Sequence, residues 1–227
     1  MTSRTSEFRA HPLFAFLSDD SKKPEERLLL APALAHFVMT FADIYRFVLR
    51  DESSPDDYQK LVNAHTYEDG GHWKWFLADL KKLGHDPRIP FSEALRFIWS
   101  EETINLRLLS YNICRLGLGA SSLRKLVLVQ CIEATGTVML STVAPVGQAL
   151  AARSGERLTY FGAHHFDSES SHTLEQDESQ TFVESIALTP EQITEFCQLV
   201  DETFALFTAV ADEMLAFNQR GRAIAAA

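Results

Sequence analysis

A chain of 227 residues with 46% hydrophobic content can bury one sizeable core, so a single domain is expected. Its 31 acids against 21 bases leave a net charge of -10, which excludes nucleic acid and an anionic membrane surface as partners and leaves a small molecule as the expected one. Three widely spaced cysteines, Cys114, Cys131 and Cys197, suit reduced thiols in a cytoplasm rather than a disulfide framework.

The N-terminal MTSRTSEFRAHPLF lacks the apolar centre of a signal peptide, and residues 1–20 read as an extension. No run reaches the roughly 20 apolar residues of a membrane span, so a cytoplasmic protein is expected. Beyond the extension, apolar residues recur at spacings of three and four, which predicts an all-α fold. A first helix is predicted from about Pro24 to about Leu49. A second starts with Ser54 as cap and Pro55 at the first helical position, and ends near Gly84. A third runs from near Ser92 to the Gly117–Gly119 break, and a fourth from Ser121 or Ser122 to about Ser154, with a bend expected at Pro145. A fifth is predicted over roughly Leu158 to Leu174. The last begins with Thr189 as cap, Pro190, and Gln192 closing a capping box, and continues to about Gln219, before a frayed tail at 220–227. Long helices with short connections predict a bundle of six or seven.

Chemistry is concentrated in one pattern that occurs twice. The second helix carries His65-x3-Asp69-x2-His72, and the fifth carries His165-x3-Glu169-x2-His172. Residues at i, i+4 and i+7 share a helix face, so each segment presents two imidazoles and a carboxylate in one direction. That is ligand chemistry for iron, manganese or zinc. Chance placement of eight histidines and 31 acids gives roughly 0.04 such patterns per chain, so two copies call for an explanation. The fourth helix adds Glu133 inside the apolar run LVLVQCIEATGTVML, where an isolated acid is costly to bury without a partner, and it is the candidate bridging ligand. Asp43, in an apolar stretch of the first helix, and Glu68 are further candidates for a ligand or substrate contact. Gly70 and Gly71 inside a helix suggest the close approach of a neighbour or substrate, and Trp73, Trp75 and Phe76 read as core more than as a substrate wall.

These residues resemble the haem-oxygenase-like di-iron oxidases and oxygenases: the helix-two histidine, a lone glutamate on the fourth helix, then Tyr160-Phe161-x2-His165-x3-Glu169-x2-His172. The resemblance spans roughly residues 30 to 215 and includes the 32-residue step from Glu133 to His165. It implies that His72, Glu133, His165, Glu169 and His172 are metal ligands, with Glu133 and His172 catalytic. It also implies two Fe(II) ions, or manganese or a mixed pair, with O2 as co-substrate and a homodimer in solution. The implied reaction is N-oxygenation, C–C cleavage, desaturation or nitrile formation on a small, amino-acid-derived metabolite in specialised metabolism. Two departures stand out: the family has aspartate where Glu169 stands and glutamate where His65 stands. Either His65 ligates directly, or Asp69 or Glu68 supplies the carboxylate.

Two other readings compete. A metal-free, thiaminase-like hydrolase would use Cys131 as nucleophile, with Asp43 and Glu202 as its acids. A helical bundle holding metal without oxygenase activity would need only a closed zinc site.

Overall fold

The computed structural model describes residues 1–168 and 185–221, and all regular structure among them is helical. The first residues fold onto the rest of the chain. Helices α1 (Thr2–Arg9) and α2 (Pro12–Leu17) bury Phe8, Leu13, Phe14 and Leu17 in the core. His11 caps α2, its Nδ1 accepting the Leu13 N–H at 3.1 Å.

The predicted first helix is instead four pieces. Pro32 has no N–H to donate, and its ring crowds the carbonyl four residues back, which favours a break in the helix here. Accordingly α3 (Pro24–Arg27) stops, a 3-10 turn covers Ala31–Leu34, and α4 (Ala35–Ile44) restarts beyond. A π-helical turn, Tyr45–Leu49, ends this run, with the Arg50 N–H donating to the Tyr45 carbonyl at 3.0 Å. Such turns are frequent beside functional sites.

The second predicted helix also divides. Asp56, not Ser54, caps α5 (Asp57–Glu68) by accepting the Tyr58 N–H at 2.8 Å. At Asp69–Gly71 the backbone tightens into a 3-10 turn before α6 (Trp73–Lys82). Among the described residues, no atom lies within 4 Å of a Cβ built on Gly70 or Gly71. The third helix becomes α7 (Phe91–Ile98) and α8 (Ile104–Gly117), because Ser100 caps a new start, its Oγ accepting the Glu102 N–H at 3.2 Å.

Helix α9 (Ser122–Ser154) runs uninterrupted through Pro145 and is the spine against which α1, α2, α3, α5 and α8 pack. Residues 158–162 form a turn rather than the predicted start of a helix, and the next helix, α10, is described at 163–168. The remainder of the predicted fifth helix and the tail from residue 222 lie outside the described residues. The final helix, α11 (Pro190–Arg220), begins with the predicted capping box and lies along α9.

Two segments, Pro24–Leu49 and Ser122–Ser154, are long and apolar enough to cross a bilayer by length and composition, contrary to the sequence expectation. Half or more of each apolar window is buried inside the bundle, so the hydrophobic surface serves the core.

At Gly147 the spine meets the 158–162 turn so closely that a Cβ would lie 2.4 Å from the Phe161 carbonyl oxygen. Gly147→Ala should therefore destabilise the fold by about 1–3 kcal/mol through overpacking. Urea unfolding monitored by circular dichroism checks this, and an unchanged midpoint would mean that the turn yields without cost.

Candidate metal centre

The last turn of α5 and the 3-10 turn that follows bring His65 and Asp69 beside Glu133 of α9. His65 Nε2 lies 2.9 Å from Glu133 Oε1 and 3.3 Å from Asp69 Oδ2. The ligand atoms of these three residues all fall within 4.8 Å of one another. Tyr45, completely buried, donates its hydroxyl to Asp69 Oδ2 at 3.0 Å and lies 3.3 Å from His65 Nε2. The π-helical turn ends α4 at this residue, and its hydroxyl holds the carboxylate in place.

A second pair of donors meets on the other side of Asp69. His72 Nδ1 is 3.1 Å from His165 Nε2 and 3.9 Å from Asp69 Oδ1. His165 is oriented from behind: its Nδ1 lies 2.9 Å from the Tyr160 carbonyl. A carbonyl can only accept, so Nδ1 is the donor, which leaves Nε2 as the nitrogen facing the cluster. The turn that supplies this carbonyl is anchored in turn by Asp79 of α6. Fully buried, Asp79 accepts the Thr159 N–H at 2.9 Å and the Phe161 N–H at 3.0 Å. Trp75 stacks on the His72 ring with centroids 4.5 Å apart, fixing its plane.

The cluster fits a cation on a specific observation: Asp69 Oδ1 is buried and has no hydrogen-bond partner among the described residues. An unsatisfied buried acceptor costs about 1–3 kcal/mol, more when charged, and a cation facing Asp69 and His72 removes that cost. The N···O and N···N separations of 2.9 to 3.3 Å also match the roughly 3 Å expected of atoms sharing one ion at about 2.0–2.2 Å. Burial opposes the His65 cation, but hydrogen bonds to Asp69 and Glu133 and the charges of both override it and raise its pKa to about 11. For Asp69, burial favours the neutral acid, yet the hydrogen bond and charge of His65, with His72 and Tyr45 adding to them, hold its pKa below the ordinary carboxylate value.

Of the residues singled out from sequence, His65, Asp69, His72, Glu133 and His165 converge, whereas Glu169 and His172 lie outside the described residues. Of the two neighbouring acids on this segment, Asp69 lies beside His65 and Glu68 is exposed. Asp43 is exposed on α4 and not part of the cluster, which corrects its reading as a ligand or substrate contact. Asp69 is also the described residue whose two oxygens face both histidine groups, a position the sequence reading gave to Glu133. Tyr45 was missed. Its only sequence signal is a polar-tipped aromatic in an apolar run two residues after Asp43.

A cavity of about 160 Å³ opens at the cluster, with Asp69, His72, Glu133 and His165 in its wall. Away from that end its lining is dominated by aromatic and aliphatic side chains of α1, α2, α4, α8, α9 and α11, among them Phe14, Phe37, Leu109, Leu140 and Met214. Trp73 faces the cavity, while Phe76 is core and wholly buried.

No protein-family model matches the sequence, and no curated protein matches it. Among solved structures, a domain of unknown function with a heme oxygenase-like fold from Shewanella denitrificans OS217 superposes with a TM-score of 0.66 at 15% identity, over 96% of this chain and 89% of that one. The chain has a haem-oxygenase-like fold. In this haem-oxygenase-like bundle His11 caps α2, and His36 sits buried against the Trp99 and Tyr111 rings at 5.6 and 5.7 Å. Both N-terminal histidines thus have packing or capping roles.

The raised His65 pKa has a consequence for metal-free protein. Between pH 6.5 and about 11 the folded state keeps a proton that the unfolded state has lost, so stability from this group is full below 6.5 and falls as pH rises. With chelator present, wild-type stability should drop from pH 7 to 10 more steeply than that of His65→Gln, by at most about 1.4 kcal/mol per pH unit. Parallel pH profiles in urea unfolding would contradict the pairing.

Proposed function

We propose that this chain is an O2-dependent non-haem di-iron oxidoreductase acting on a small molecule, by oxygenation, oxidative cleavage or desaturation. The observation that carries the reading is the convergence of His65, Glu133, His72 and His165 beside Asp69, one of whose oxygens has no hydrogen-bond partner among the described residues, at the head of an apolar cavity. In this reading His65, Asp69 and Glu133 hold one ion. His72, His165 and Asp69 would hold the other, and Glu169 and His172 would complete the set. Manganese or a mixed pair suits the same imidazole and carboxylate donors.

Bound ferrous ions supply electrons and open coordination positions for O2. The remaining work belongs to the side chains. Hydrogen-bonded to the Tyr160 carbonyl through Nδ1, His165 has its Nε2 aimed at the site. Tyr45 fixes one Asp69 oxygen and so directs the other toward His72. Glu133, whose side chain is 29% exposed against 6% for Asp69, is the carboxylate with most room to shift as ligands enter. Apolar walls beyond it keep water from the substrate.

A cysteine hydrolase is not favoured. Cys131 is fully buried, burial pushes its thiol up to about 12, and it is absent from the described cavity lining. The acids assigned to that reading, Asp43 and Glu202, are both exposed, and Glu202 pairs with Arg115. A closed structural zinc site needs four ligands around one ion, whereas the five described donors form two groups on either side of Asp69. The three free cysteines accord with the cytoplasmic location expected from sequence.

Anaerobic titration of metal-free protein should reach about two Fe(II) per chain, and exposure to air should then consume O2. Tyr45→Phe should weaken metal affinity about 10–100-fold while leaving the fold intact, as expected for a group that positions a ligand. Glu133→Ala and His165→Ala should abolish O2 uptake. Iron binding without O2 uptake, or tight binding of zinc alone, would overturn the assignment.

A further inference from the structure

Glycine is the poorest helix former after proline, so a glycine inside a long helix calls for a reason. Helix α9 contains two, Gly136 and Gly147. Gly147 has one in the Phe161 backbone pressed against it. Gly136 has none of that kind: no described atom lies within 4 Å of the position its Cβ would take. The empty volume beside it is the cavity, whose wall it forms together with Glu133, one helical turn earlier. Neighbouring Thr135 turns its hydroxyl back onto the carbonyls of Cys131 and Ile132, at 3.0 and 2.8 Å, so it adds no outward donor to that wall. Apart from Thr135 and Thr137 on either side of Gly136, the polar side chains among the described lining residues are those of the cluster and Tyr160, and hydrocarbon side chains make up most of the rest.

We infer that the cavity takes a substrate with one polar end at the cluster and an apolar, hydrocarbon body, and that Gly136 determines specificity by leaving the bore open just beyond Glu133. This deepens the proposed function and rests on it for the chemistry, while the binding claim can be tested without turnover. An apolar body is favoured over a small polar amino acid because the wall beyond the cluster offers few groups to satisfy a polar side chain. Alanine at position 136 would project its methyl into the space the substrate body occupies.

The test uses neutral n-alkanols of four to ten carbons as probes, titrated calorimetrically into the full chain as purified, with and without Mn(II). Wild-type affinity should rise about threefold to fourfold per added carbon, until the chain outgrows the cavity. Gly136→Ala should melt about 2–4 °C higher, from helix propensity alone, yet bind the longer alkanols at least fivefold more weakly. Gly136→Leu should retain only the shortest probes. A more stable alanine variant with wild-type alkanol affinities, or affinities independent of chain length, would overturn the inference while leaving the metal assignment untouched. Alkanol binding that persists in protein unable to bind Mn(II) would instead keep the cavity and remove the metal chemistry.

Discussion

The site depends on a single buried carboxylate, Asp69. One of its oxygens is held by Tyr45 and faces His65, and the other faces His72 without a hydrogen-bond partner among the described residues. A charged oxygen left so in a protein interior is a standing cost unless something positive meets it, and the surrounding groups are those that bind cations. Each neighbouring irregularity of the backbone serves that carboxylate. The π-helical end of α4 carries the tyrosine, and the 3-10 turn at Asp69–Gly71 lets the aspartate look toward both histidines. On the far side, the Asp79-anchored turn delivers the Tyr160 carbonyl that orients His165.

Rigid and permissive parts are separated along α9. Toward its C-terminal end Gly147 is locked against the 158–162 turn, which fixes the height at which α10 enters and with it the position of His165. Toward its middle Glu133 and Gly136 face the cavity, one supplying a carboxylate and the other space. One helix therefore sets both the donor geometry and the room beside it, and substitutions along a few turns of it affect stability, metal and substrate in different proportions.

Much of this was legible in the sequence. The His-x3-acid-x2-His spacing singled out His65, Asp69 and His72, although a 3-10 turn rather than one continuous helix face brings them together, and its second copy contributes His165 among the described residues. The capping residues of α9 and α11 are local chemistry and were equally readable. Breaks within the apolar runs were harder. Pro32 should have ended the first helix, but the surrounding periodicity outweighed it, and Ser100 capped a restart inside what read as one continuous amphipathic stretch. Asp43 and Tyr45 show the limit most clearly. Both are polar tips in the same apolar segment, and only the π-helical turn, which no spacing rule anticipates, separates the exposed acid from the buried hydroxyl. Likewise, that Asp69 rather than Glu68 faces the site follows from a local tightening of the backbone.

The most direct measurement is anomalous diffraction from crystals grown with Mn(II), collected at a wavelength where manganese scatters anomalously. Two peaks are predicted, one among His65, Asp69 and Glu133 and one beside His72 and His165, with Asp69 touching both. A map with no anomalous peak in contact with Asp69 would contradict the central claim.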